Sequence, residues 1–107
     1  MPVITIEYDD KAVSDEDMKA LCDGIQEIVS TTTQIDDVSV YAHSAKIKVK
    51  HAPIEIFVRL SAHKVTDLDA LLSEIKEKLS IWKKKCQYRH LLNLTVIPMN
   101  WKFEIGI

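Results

Sequence analysis

From Ile54 to Leu60 apolar and polar positions alternate: Ile54, Ile56, Val58 and Leu60 fall on one side, Glu55, Phe57 and Arg59 on the other. A period of two marks a strand with one buried face. The shorter run "VITIEY" (Val3–Tyr8) reads the same way. Between them the period lengthens. In "SDEDMKALCDGIQEIVS", Met18, Leu21, Ile25, Ile28 and Val29 recur at steps of three and four, which predicts a helix with one apolar stripe. Ser14 is the candidate N-cap, and Asp15, Glu16 and Asp17 place negative charge on the positive end of the helix dipole. Gly24 weakens this helix by roughly 1 kcal/mol against alanine and predicts a close approach to the sheet. A second stripe, Leu68, Leu71, Leu72, Ile75, Leu79 and Trp82, follows Thr66 as candidate cap, with Asp67 and Asp69 in the first turn. Lys83, Lys84 and Lys85 lie near its negative end. Ile47 and Val49 in "KIKVK" predict a further strand or ribbon. The ending "LLNLTVIPMNWKFEIGI" predicts a strand stopped near Pro98, then an extended tail with Trp101, Phe103 and Ile105 on one side.

These elements come in two sets. "PVITIEY" starts at Pro2 and "PIEIFVRL" at Pro53; "AVSDED" (Ala12–Asp17) is echoed by "KVTDLD" (Lys64–Asp69). A helical stretch and a short strand follow each, "VSV" at Val38–Val40 and "LTV" at Leu94–Val96, so the offset drifts from 51 to 56 residues. Two tandem β-α-β units are the economical reading. The predicted fold class is α+β: one domain over residues 1–107, with units at about 2–43 and 53–97 and a tail at 98–107. Its four-stranded mixed sheet carries two helices on one face. Crossovers of this length favour parallel, right-handed pairing within each unit.

Composition narrows the function classes. With 107 residues, 47% apolar and 28% charged, the chain matches a globular domain with a modest core. A net charge of −2 gives no global pull toward nucleic acid or an anionic membrane. No apolar run approaches the roughly 20 residues that a bilayer crossing needs. The N-terminal residues lack the pattern of a secretory signal, and the expected location is the cytoplasm. Cys22 and Cys86 stand in no CxxC spacing and read as free thiols, Cys22 in the core and Cys86 without an identified base partner. His43, His51, His63 and His90 show no ligand spacing, so neither a metal nor any other cofactor is expected. "WKKKCQYRH" (Trp82–His90) combines cations and aromatics, but lysines at a helix C-terminus are explained by the dipole. A nucleic-acid role for it would show strong salt dependence.

The proline-plus-strand start, the doubled unit, "SDED", "KVTDLDALLSEIKEKL" and "RHLLNLTVIPMNWKF" together resemble the tautomerase superfamily nearly end to end. The most similar group is the 5-carboxymethyl-2-hydroxymuconate isomerases. The resemblance implies a homotrimer acting on a small acidic carbonyl compound by keto-enol or double-bond isomerisation. It also implies that Pro2, once Met1 is removed, is the general base. Such a base needs a free secondary amine, because an acylated proline nitrogen has no basic lone pair. Its ordinary pKa is about 8, and burial or nearby cations lower it. The enolate formed needs donors or cations aimed at its oxygen.

Two positions depart from the pattern. Family members commonly carry arginine just before the first helix and on the strand after it, where this chain has Val13 and Ser39. Arg59 and Lys102 match positions at which the isomerase group tends to be basic, and they are the candidate substrate anchors. The alternative is a non-catalytic trimeric binding or structural protein that keeps the fold. In that reading Pro2 merely starts a strand, as Pro53 does in the second unit.

Overall fold

The computed structural model describes residues 2–50, 52–102 and 104–107. Strand β1 (Val3–Tyr8) leads into helix α1 (Asp15–Thr33) and strand β2 (Ser39–His43). Strand β3 (Ile54–Ser61), a 3-10 turn (Ala62–Lys64), helix α2 (Leu68–Cys86) and strand β4 (Asn93–Met99) repeat that order. The sheet runs β2-β1-β3-β4, with β1 parallel to β2, β3 parallel to β4, and the two units joined antiparallel through β1 and β3. The expected four-stranded mixed sheet is therefore present.

Alternation decides the faces. Ile4, Ile6, Ile54, Ile56, Val58 and Leu60 turn toward the helices and are essentially inaccessible, meeting Leu21, Ile25, Val29, Ile75 and Leu79. Burial of each such side chain is worth about 1.5–3 kcal/mol. The opposite parity leaves Val3, Thr5, Phe57, Arg59 and Ile97 on a face that no helix covers.

Both helices begin on a side-chain cap. Ser14 accepts from the Asp17 N–H at 3.1 Å, as its position predicts. In α2 the cap is Asp67 rather than Thr66: its carboxylate accepts from the Ala70 N–H at 3.1 Å, and the helix starts one residue later than expected. Both helices close with a left-handed glutamine, Gln34 and Gln87. Of the second stripe, Ile75 and Leu79 are buried and Leu71 and Trp82 half-buried. Leu68 and Leu72 reach solvent.

Two further expectations are corrected. A Cβ on Gly24 would lie 2.5 Å from Cε2 and Nε1 of Trp82, so the close approach is to α2 and not to the sheet. Ile47 and Val49 belong to no strand; both are exposed in a bent connection that Lys48 ties to Asp9 and Asp10 at 3.3 and 3.2 Å. Strand β4 ends at Met99, near Pro98 as expected, and the pairing of Leu60 with Pro98 falls at an edge strand, where a missing N–H is tolerated. In the tail, Trp101 is half-buried and Ile105 exposed, while Phe103 lies outside the described residues.

Candidate functional site

The topology brings Pro2 and Arg59 to one end of the sheet. Pro2 immediately precedes β1, and β2 begins beside it: the Ser39 N–H donates to the Pro2 carbonyl at 3.2 Å. Since β3 runs antiparallel to β1, its last residues arrive at the same end, with Arg59 opposite Val3. Since β4 is parallel to β3, it too ends here, and Lys102 follows three residues after Met99. Pro2 is fully buried, Arg59 half-buried and Lys102 exposed.

Arg59 lies on the uncovered face. Its Nη1 donates to Thr5 Oγ1 at 3.2 Å and its guanidinium carbon stands 5.4 Å from the Phe57 ring centroid. Among the described residues it has no carboxylate partner. A cation held by a hydroxyl and a ring, with its charge uncompensated, is suited to an anionic group. The two departures at the arginine positions behave differently. Val13 is 1% exposed and part of the core, whereas Ser39 opens β2 beside Val3 on the uncovered face.

One residue at this end was not anticipated. Ser61, the last of β3, is 6% exposed, and its hydroxyl has no hydrogen-bond partner among the described residues. In sequence it is only a small residue closing an apolar alternation; a missing partner has no sequence signature.

The opposite end holds a separate polar cluster, also absent from the sequence reading. Tyr88 donates to the Asp17 carbonyl at 2.7 Å, and His90 Nε2 lies 2.9 Å from Asp17 Oδ2. Tyr88 packs between Trp82 and His90, with ring centroids at 4.9 and 5.2 Å. Burial, and then the Asp17 charge, pushes the Tyr88 phenol well above its ordinary value. Burial also raises the Cys22 thiol, which removes it as a ready thiolate nucleophile. No group of three or more acidic, histidine or cysteine side chains among the described residues is placed to hold a metal. No helix among them is long and apolar enough to cross a membrane.

No family model and no curated sequence matches the chain. Solved structures do. Malonate semialdehyde decarboxylase, a protein with decarboxylase and hydratase activities, superposes at TM-score 0.72 with 9% identity, over 98% of this chain and 92% of that one. A 5-carboxymethyl-2-hydroxymuconate delta-isomerase gives 0.67 and 15%, over 100% and 88%. This chain and these structures share one fold, a tautomerase-like β-α-β fold. A fused 4-OT, itself an asymmetric trimer, extends the likeness at 0.66 and 14%, over 97% and 92%. At such identities the likeness carries the tautomerase fold alone. Within that fold, the clefts lined by Glu7, Tyr8 and Lys48 (about 280 Å³) and by Asp17, Tyr88 and His90 (about 390 Å³) open at the far end from Pro2.

Proposed function

We propose that this chain is a tautomerase-like isomerase of a small acidic carbonyl compound, with Pro2 as general base after removal of Met1. The observation that supports the reading is that β1 starts from Pro2 at the sheet end where Arg59 pairs with Val3, Arg59 having no carboxylate partner among the described residues. The amine of a buried N-terminal proline is disfavoured in its charged form, which brings a pKa near 8 toward working pH. Its lone pair takes a proton from carbon next to the carbonyl and returns it elsewhere on the same substrate. Arg59 and Lys102 would hold the substrate's carboxylate and the developing enolate oxygen. The chemistry asks for neither metal nor other cofactor. We further propose a cytoplasmic homotrimer, which would cover the sheet face left open in one subunit and wall the space beside Pro2. Neither nucleic acid nor membrane enters this reading.

The competing reading is a non-catalytic trimer that keeps the fold, and the burial of Val13 favours it, since that position offers no cation. Two measurements separate the two. Intact mass is expected to show Pro2 as the first residue. Turnover of phenylenolpyruvate or a hydroxymuconate-type enol is expected to fall roughly 100-fold in Pro2→Ala. Equal rates in the two proteins would remove Pro2 from the chemistry.

A further inference from the structure

A buried hydroxyl without a partner costs about 1–3 kcal/mol, and folded chains keep few of them. The register states what lies beside Ser61. On one side it pairs with Met99 of β4. On the other, continuing the β1–β3 pairing one step past Val3 and Arg59 sets Pro2 opposite Leu60. The strands are antiparallel, so the step from Leu60 to Ser61 runs the same way as the step from the Pro2 carbonyl to its nitrogen. The Ser39 N–H holds that carbonyl at 3.2 Å, which anchors Pro2 in the sheet.

We propose that Ser61 is a positioning residue for the Pro2 nitrogen, its hydroxyl oxygen accepting one N–H of the freed amine. The inference rests on Pro2 being the base. A neutral secondary amine has one N–H and one lone pair; with the N–H held by Ser61, the lone pair is aimed at the substrate. When the nitrogen takes the substrate's proton it carries two N–H groups. Ser61 keeps the first, and the second is the proton returned to product. A hydroxyl acceptor bonds the ammonium more strongly than the amine, so Ser61 raises the amine's pKa. Among the described residues, the other charged groups on segments that start or end here are Arg59, Lys102 and Glu104, Asp36 and Asp37 ahead of β2, His63 and Lys64 after β3, and Asp67 and Asp69 at the start of α2. The cations among them act in the opposite sense to Ser61.

The test uses protein labelled with ¹⁵N-proline and shown by mass to begin at Pro2. Pro2 is the one proline whose nitrogen titrates, so its signal reads the amine directly. Ser61→Ala is expected to lower that midpoint by about one pH unit and to lower kcat/KM about tenfold. An unchanged midpoint, with or without a fall in rate, overturns the assignment. If Pro2→Ala turns over as fast as wild type while Ser61→Ala still moves the midpoint, the base is lost and the contact stands. A chain that retains Met1 overturns both.

Discussion

At the scale of single residues, Gly24 shows how a local preference yields to packing. Helix propensity favours alanine there by roughly 1 kcal/mol. Yet a Cβ would sit 2.5 Å from Trp82, whose ring is held against Tyr88 at 4.9 Å and has little room to withdraw. Gly24→Ala is therefore expected to lose about 1–3 kcal/mol in urea unfolding, and a smaller side chain at 82 to recover part of it. Tyr88 carries a pH dependence. Its folded pKa lies above the unfolded value of about 10, raised by burial and by Asp17. The fold favours the neutral phenol, so this contribution is whole below that pH and declines as pH rises past it. Tyr88→Phe is expected to cost about 1 kcal/mol at neutral pH through the lost bond to the Asp17 carbonyl. Its stability should fall less than that of wild type between about pH 9 and 11 in the same assay. The sequence showed Gly24 as an interruption and Tyr88 as an aromatic in a basic run; neither shows its partner, because both partners come from distant parts of the chain.

At the scale of elements, the apolar periods located both helices and the strands, and the repeated acidic starts located the caps to within one residue. The ambiguity at α2 had a physical source. In "KVTDLD" both Thr66 and Asp67 are good caps, and the choice depends on which residue leaves the 3-10 turn with extended backbone. Asp67→Ala is expected to cost about 1 kcal/mol of unfolding free energy. Thr66→Ala should change it by less than about 0.5 kcal/mol, as surface substitutions away from such features do. Equal losses would show both side chains sharing the cap. "KIKVK" has the alternation of a strand without its partner. The sheet positions beside β1 are taken by β2 and β3, and Lys48 is drawn instead to Asp9 and Asp10. Alternation proposes a strand, and only a free neighbour with matching register makes one.

At the scale of the whole molecule, a single layer of helices leaves one sheet face bearing Val3, Phe57, Arg59 and Ile97 without cover. Sedimentation is expected to give a mass near three times the 12.2 kDa subunit, and a monomer would leave the proposed site without its remaining wall. What the amino-acid order determined by itself was local and periodic: which residues alternate, where each helix begins, and that one β-α-β pattern occurs twice. Those properties depend on neighbours a few positions apart, so one chain read alone suffices. The tertiary structure decided everything that depends on strands meeting. The antiparallel seam between β1 and β3 is what carries Arg59 and Ser61 to the end where Pro2 begins, and the parallel seam between β3 and β4 brings the last residues of β4 there too. Residues nearly sixty positions apart in sequence share that end because pairing direction, which no local pattern encodes, set them side by side.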